Sequence, residues 1–209
     1  MPLKKDEVNV GLKPWEQAPL GYDFFARDTR KVALELLGTY MVHFSPEGVT
    51  AGRVVETEAY LGPSDPACHS ARGRTERNAV MFGPAGFVYV YLIYGVHYCI
   101  NITTDKPEIP AAVLIRALEP VAGLELMQRR RGTHKLKELC RGPGRLAQAM
   151  GITRDLNGTS AIEGPIRFYP PLPGDPRADI VVAPRIGIRE ATDWLLRYYV
   201  RGSPFVSYK

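Results

Sequence analysis

Two β-type segments separated by one tight turn restrict the fold of this chain more than any other feature. Residues 87–93 and 96–102 are rich in Val, Ile and Tyr, and Tyr94-Gly95 stands between them. Runs of β-branched and aromatic residues joined by a short turn with glycine predict a β-hairpin. The strands of a hairpin pair antiparallel, so the chain is expected to contain an antiparallel sheet.

Further strands and a few helices are expected around this hairpin. Segments with strand composition are residues 39–44, 50–60, 111–118, 180–188 and 198–206. Helices are predicted after the N-cap Asp28, from Glu119-Pro120 and from Gly142. Strands and helices do not alternate regularly. We therefore predict an α+β fold, a single compact domain with a curved, mainly antiparallel sheet, flanking helices and a protruding β-hairpin.

The domain organisation is expected to be simple. A chain of 209 residues is long enough for one sizeable core and does not require two. Residues 1–22 contain Pro14 and Pro19 and show little periodicity, which predicts an extended N-terminal lead-in before a single domain at residues 23–209. No apolar run approaches the length of about 18 residues that a membrane span needs, and no secretory signal is visible.

Charge and cysteine content narrow the class of partner and the compartment. Lys and Arg exceed Asp and Glu by 27 − 22 = 5, and the sequence pI of about 9.1 favours an anionic partner such as nucleic acid. The three cysteines are widely spaced, which argues against disulfides or a zinc site and fits a reducing cytoplasm. The sequence has no G-x-S-x-G, P-loop, dinucleotide-binding or zincin motif, so the corresponding enzyme classes lack support.

The strand at residues 53–63 carries an unusual set of side chains. Side chains on a strand alternate between faces, so Glu56, Glu58 and Tyr60 are expected to point the same way. Two carboxylates and a phenol on one face indicate acid–base chemistry beside a flat ligand. The alternative is structural, with one Glu paired to an Arg and the other at a wet sheet edge. Arg116 lies in an apolar strand and needs a buried partner, for which Glu58 or Glu56 is the candidate.

Aromatic residues provide further candidates, each with an ordinary structural alternative. His69 lies in a long polar loop, residues 62–86, and could form a stacking slot with Tyr60 or simply make a structural hydrogen bond. Tyr89 and Tyr91 share one strand face and could be half-buried core. Tyr94, at the tip of the hairpin, either inserts between bases or folds back onto the hairpin.

Several of these segments together resemble the alkyladenine (3-methyladenine) DNA glycosylase family. The matching segments are residues 55–63, 69–70, 77–78, 81–82, 89–95, 101–102, 114–120 and 201–207. The resemblance covers nearly the whole chain from Phe24 onward, and the ordered run of motifs is specific. It implies a monofunctional DNA glycosylase of base excision repair, which flips alkylated or deaminated purines out of duplex DNA and hydrolyses the N-glycosidic bond, leaving an abasic site.

The resemblance also implies a role for individual residues. Glu58 matches the general base that activates water, and Arg116 the residue that helps to hold that water. The backbone of Ile186 matches a third contact of the water. The walls that sandwich the flipped base are expected to be Tyr60, His69 and Tyr91.

Two further roles follow from the same resemblance. Asn101 matches the residue at the pocket floor that clashes with the 2-amino group of guanine, and Tyr94 the residue that fills the gap in the duplex. The chain departs from the family pattern at Phe205, where a tryptophan is expected, and in a loop one residue shorter than the mammalian form.

The expected partner is duplex DNA with damaged purines, bound by a monomer without membrane contact. The family resemblance also implies that no cofactor and no metal are needed. The short N-terminus favours a bacterial-type enzyme in the cytoplasm, associated with the nucleoid.

Two other functions remain open from the residues alone. Glu56 and Glu58 could be the nucleophile and acid of a retaining glycoside hydrolase, whose carboxyl groups lie about 5 Å apart. A non-catalytic nucleic-acid-binding module could instead stack bases on Tyr89 and Tyr91. In the first case the protein would not bind DNA at low salt, and in the second Glu58 would be dispensable.

Overall fold

A computed structural model of the protein describes residues 12–93 and 95–207. In this part of the chain the strands are β1 (Tyr40–Ser45), β2 (Gly48–Tyr60), β3 (Val88–Ile93), β4 (His97–Thr104), β5 (Ala111–Ala122), β6 (Ile166–Tyr169), β7 (Ile180–Ala183) and β8 (Arg197–Val200). The α-helices are α1 (Tyr22–Phe25), α2 (Thr29–Glu35), α3 (Leu124–Arg131), α4 (Leu136–Leu139) and α5 (Pro143–Met150). Four short 3-10 helices, the first of them ahead of α1, complete the described secondary structure.

All eight strands form one sheet. Its main order is β3-β4-β5-β2-β1-β6, with β8 beside β2 and β7 outside β8, and every pairing is antiparallel. The predicted α+β fold with a single antiparallel sheet is therefore confirmed. The hairpin predicted around Tyr94-Gly95 is formed by β3 and β4.

The long strand β2 lies at the centre of the sheet and changes partner along its length. One edge pairs with β5 from Ala51 to Tyr60. The other edge pairs first with β1 and then, at residues 56–58, with β8. Register shifts on both sides of Glu56 mark a β-bulge, which bends a strand locally. The second half of β2 is thus covered on both edges, and both of its glutamates are fully buried.

The two faces of the sheet have different compositions. On one face Val88, Val90, Ile100 and Ile115 join the main core with α2, α3 and α5. Their sequence neighbours point to the opposite face because strand side chains alternate. That second face carries Tyr89, Tyr91, Asn101, Leu114 and Arg116. The packed core thus supports a sheet whose other face is available for a site.

One predicted helix start is wrong. Glu119 and Pro120 do not open a helix; β5 continues through them to Ala122, and Pro120 pairs with Gly52 of β2. The helix α3 starts only after Gly123, whose φ is +71°. A Cβ at Gly123 would lie 2.4 Å from the carbonyl oxygen of Val49, so only glycine fits this turn. Pairing with β2 thus overrides the local Glu-Pro signal.

The other local predictions differ from the structure mainly in length. Asp28 caps α2, since its Oδ1 accepts hydrogen bonds from the backbone N–H groups of Arg30 and Lys31. The two closing strands are shorter than predicted, at residues 180–183 and 197–200.

The described part of the N-terminal lead-in, residues 12–22, contacts the domain. Trp15 packs against the small apolar cluster that contains Tyr40 and Tyr169, and the N–H of Leu20 donates to the carbonyl oxygen of Phe168 at 2.7 Å. The boundary between residues 22 and 23 stays a prediction. Across the described residues, no helix combines the length and apolar character needed to cross a membrane.

Candidate active site

A cavity of about 420 Å³ lies on the second face of the sheet. Strands β2, β3, β4 and β5 form its floor, the loop of residues 62–86 forms one wall, and residues 186–190 form the other. The residues lining it are Tyr60, Pro66, Ala67, Cys68, His69, Arg77, Met81, Tyr89, Tyr91, Ile93, Cys99, Asn101, Ala112, Leu114, Arg116, Pro143 and the segment 186–190.

The strand register explains why these side chains meet. Tyr89 pairs with Asn101, Asn101 with Leu114, and Leu114 with Glu58, so the four form one row across the sheet. Paired residues of neighbouring strands project to the same face. Residues far apart in the sequence are thus brought side by side.

Aromatic rings form one side of the cavity. The His69 ring lies 4.5 Å from that of Tyr91, at an interplanar angle of 72°. Its Nδ1 is 2.8 Å from the Tyr89 hydroxyl, and the Asn78 side chain donates to the backbone oxygen of His69 at 2.8 Å. Burial, together with the nearby charge of Arg77, lowers the pKa of His69 to about 4. His69 is therefore a neutral ring at physiological pH, suited to stacking rather than to proton donation.

Tyr60 also lines the cavity and is held both at its hydroxyl and at its ring. Its hydroxyl donates to Glu58 Oε2 at 2.9 Å, and the Arg185 guanidinium lies 4.7 Å from the centre of its ring. Arg185 in turn forms a fully buried ion pair with Asp65, with Nη2 2.8 Å from Oδ1. Asp65 also accepts hydrogen bonds from the N–H groups of Leu61 and Ala67. This pair thus fixes the loop after β2 against the segment that precedes Ile186.

Glu58 lies directly behind the cavity wall, with no exposed surface. Its carboxylate accepts hydrogen bonds from the N–H of Ile186 at 2.7 Å and from the hydroxyl of Tyr60, and it pairs with Arg116 Nη1 at 3.2 Å. All three donors line the cavity. Burial raises the pKa of Glu58; Arg116, the Ile186 amide and Tyr60 oppose the rise, and Glu56 adds to it. A buried carboxylate with a raised pKa is a suitable proton acceptor near neutral pH.

Arg116 has two buried carboxylate partners. Its Nε lies 3.1 Å from Glu56 Oε1, and its Nη1 reaches Glu58. Burial opposes its charge, but Glu58 and Glu56 together keep its pKa raised. The expectation that Arg116 pairs with one of the two glutamates is confirmed for both. The structural alternative, with one glutamate at a wet edge, is wrong because both are fully buried.

Most of the candidates singled out in the sequence come together here. Five of them line the cavity: Tyr60, His69, Tyr91, Asn101 and Arg116. The hairpin-tip candidate, Tyr94, lies outside the described residues.

Tyr89 had been considered in the sequence only with Tyr91, as half-buried core or as a base-stacking residue. In the structure it lines the cavity and its hydroxyl bonds His69. The buried Asp65–Arg185 ion pair was not predicted, because no local sequence pattern relates two residues that lie 120 positions apart.

The site combines a cavity lined by aromatic rings with a buried carboxylate, an arrangement that can hold a flat ligand and accept a proton. Neutral rings line the cavity, and the carboxylate lies behind Tyr60 and Arg116. Within residues 12–93 and 95–207, no group of three or more His, Cys, Asp or Glu side chains is placed to hold a metal ion.

Comparison with known proteins agrees with this geometry. The family model described as "Methylpurine-DNA glycosylase (MPG)" matches residues 23–204. A protein of Methanoculleus marisnigri is 54% identical over 186 residues, covering 88% of this chain and 96% of its own. A protein of Chlorobaculum tepidum is 49% identical over 189 residues, which cover 90% of each chain. A protein of Koribacter versatilis is 46% identical over 195 residues, which cover 92% of this chain and 94% of its own. All three are named "Putative 3-methyladenine DNA glycosylase". The chain belongs to the methylpurine-DNA glycosylase family.

Proposed function

We propose that this enzyme flips damaged purines out of duplex DNA and releases them with water activated by Glu58, leaving an intact abasic site. Membership of its family makes it a DNA glycosylase, a hydrolase of N-glycosyl bonds that acts in DNA repair. What the proposal adds is the substrate conformation, the nucleophile and the residues that carry the reaction.

The cavity supports binding of an extruded base. A base within a duplex cannot be reached by an enzyme, so it must leave the stack at a cost of a few kcal/mol. The cavity volume of about 420 Å³ lies within the range of small-molecule sites, about 300–1,000 Å³. We assign Tyr60, His69 and Tyr91 as the walls that contact the base. Aromatic faces favour cationic or electron-poor rings, which describes alkylated purines.

Asn101 is proposed to exclude normal guanine. It is buried on the cavity floor, and its side-chain amide donates to the carbonyl oxygen of Tyr89 at 3.2 Å. That hydrogen bond holds the amide in place. A 2-amino group projecting to the same point would clash with it, whereas adenine-type purines lack the group.

The chemistry is assigned to Glu58 and Arg116. Glu58 takes a proton from water as positive charge develops on the sugar. The negative charge of its carboxylate also stabilises the oxocarbenium-like transition state. Arg116 holds the water and the carboxylate together, and the backbone of Ile186 keeps Glu58 in position. No lysine Schiff base takes part in this scheme, so borohydride is expected to trap no protein–DNA adduct.

One observation carries the proposal: the buried carboxylate of Glu58 directly behind an aromatic cavity. A module that only stacks bases has no need of a buried, raised-pKa carboxylate beside the stacking rings. A retaining glycoside hydrolase needs a second available carboxylate, but Glu56 already accepts bonds from Arg116, Arg197 and Ser207. The proposed partner is duplex DNA, bound by a monomer in the cytoplasm, where chromosomal DNA lies.

The proposal is tested by incubating the protein with methylated duplex DNA and separating released bases by chromatography. We expect free methylated purines, and strands that break only after later treatment with alkali. Unmethylated DNA of the same sequence is the control. Absence of any released purine, or strand cleavage by the protein itself, would refute the proposal.

A further inference from the structure

The second glutamate of β2, Glu56, is tied into a buried network that the proposed chemistry does not use. Its Oε1 accepts hydrogen bonds from Arg116 Nε at 3.1 Å, Arg197 Nη1 at 2.9 Å and Ser207 Oγ at 2.9 Å. Its Oε2 accepts from the backbone N–H of Ser207 at 2.7 Å. The carboxylate thus accepts three hydrogen bonds at Oε1 and one at Oε2 and is fully buried, so Glu56 is held within the protein and does not line the cavity.

Two of these donors come from the end of the chain. Phe205 packs against Val55 of β2 and Ala117 of β5. The Arg141 side chain donates from Nε to the carbonyl oxygen of Val206 at 2.9 Å. Ser207 therefore reaches Glu56 from a segment that is itself anchored to both strands carrying the site.

The network reaches the proposed catalytic centre through one guanidinium. Arg116 has Nε on Glu56 and Nη1 on Glu58, so its planar fork bridges the two carboxylates. Its Nη2 also lies 3.4 Å from Ser207 Oγ. A planar group held on two sides cannot rotate about its side-chain bonds, so the position of Nη1 beside Glu58 depends on Glu56.

We propose that Glu56 and Ser207 are positioning residues for base excision: Ser207 orients Glu56, and Glu56 holds Arg116 against Glu58. Neither residue touches the substrate. The inference rests on the proposed role of Glu58 and extends it to the terminal segment.

The network also predicts an electrostatic signature that a purely structural role would not have. Two carboxylates close together disfavour each other's ionisation, and a cation between them offsets this. The titratable or charged groups facing Glu58 are Glu56, Tyr60, Tyr91, Cys99, Arg116, Arg185 and Arg197. Among them Glu56 is the neighbouring carboxylate that raises the pKa of Glu58. Replacing Glu56 by Gln therefore removes a negative charge and favours ionisation of Glu58.

The test is single-turnover base release from pH 5 to pH 9 with matched variants. For Glu56→Gln we expect the plateau rate to fall by about 10-fold to 100-fold and the midpoint of the acidic limb to move to lower pH. Ser207→Ala should lower the plateau by about 3-fold to 10-fold without moving the midpoint, and Ser207→Thr should restore most of the rate. Ser203→Ala, in the same terminal segment but away from Glu56, is the control and should stay within about twofold.

Rates are referred to the concentration of active sites, so that loss of folded protein does not count as loss of rate. If Glu56→Gln does not fold, the inference is tested by comparing the plateau rates of Ser207→Ala and Ser203→Ala. Carboxyl ¹³C titration of Glu58 in wild type and Glu56→Gln provides a second readout that needs no catalysis. An unmoved Glu58 midpoint, or equal effects of the two serine variants, would overturn the inference while leaving the proposed function intact. Absence of base release by the wild type would refute the proposed function. The ¹³C titration would then still test whether Glu56 affects the ionisation of Glu58.

Discussion

At the scale of single residues, the site depends on how burial and donors act on Glu58. Removal from water disfavours its charge more than Arg116, Tyr60 and the Ile186 amide favour it. A general base works best when its pKa approaches the working pH. The three donors thus keep the carboxylate ionisable and fixed, while burial keeps it basic.

The pH dependence on a cationic base without a 2-amino group, such as 3-methyladenine, should report this directly. Such a base departs without being protonated, so the rate depends only on ionised Glu58. Because the pKa of Glu58 is raised, the rate should increase with pH through a midpoint above the ordinary value of 4.5 and then stay level. Single-turnover rates measure the midpoint. A midpoint at or below 4.5 would contradict the assignment.

Excision of hypoxanthine should have a different profile. This neutral base is a poor leaving group until a ring nitrogen gains a proton, so one base and one proton donor are needed, and a bell-shaped profile is expected. His69 is not that donor near neutral pH, because burial and Arg77 lower its pKa to about 4. The measurement compares hypoxanthine with 3-methyladenine in the same duplex from about pH 5 to pH 9. Superimposable profiles would show that protonation of the leaving group does not separate the substrates.

At the scale of elements, the Asp65–Arg185 pair joins the loop of residues 62–86 to the segment that carries Ile186. Both side chains are fully buried. Removing one partner of such a pair leaves an uncompensated buried charge and typically costs about 3–5 kcal/mol. We expect Asp65→Asn to lower the free energy of unfolding by about this amount. Asp179→Asn breaks the exposed pair with Arg201 and should cost about 0–1 kcal/mol. Urea unfolding compares the two, and equal losses would mean that the buried pair does not anchor the loop.

The hairpin of β3 and β4 is the element expected to enter the duplex. Leu92 and Val96 at its tip are 39% and 69% exposed, so apolar surface is presented there. Tyr94 is predicted to fill the gap left by the flipped base. Tyr94→Ala should therefore slow excision from paired lesions far more than from lesions in unpaired positions, which flip easily. Similar losses on both substrates would argue against insertion.

Local sequence signals predicted most elements but not all of their ends. Asp28 placed the start of α2, and the turn at Tyr94-Gly95 placed the hairpin, because both signals act within a few residues. The helix start at Glu119-Pro120 was wrong since pairing of Pro120 with Gly52 depends on a strand far away in the sequence. Propensity cannot anticipate such a partner.

At the scale of the whole molecule, the site is assembled by strand register. Alternation along each strand predicted that Glu58 and Tyr60 share a face, and the family resemblance supplied the roles. Neither of these predicted the long-range contacts that hold the site. Ser207 lies 151 residues from Glu56, and Arg185 lies 120 residues from Asp65. These contacts exist only once β5 and β8 flank β2.

The central claim, that Glu58 activates the water in an otherwise preformed site, is tested most directly by Glu58→Gln. The change is nearly isosteric and removes the proton acceptor. We predict that single-turnover release of a methylated purine falls by about 100-fold to 10,000-fold, while binding to the same lesion DNA stays within about tenfold of wild type. Base release near the wild-type rate by Glu58→Gln would contradict the account.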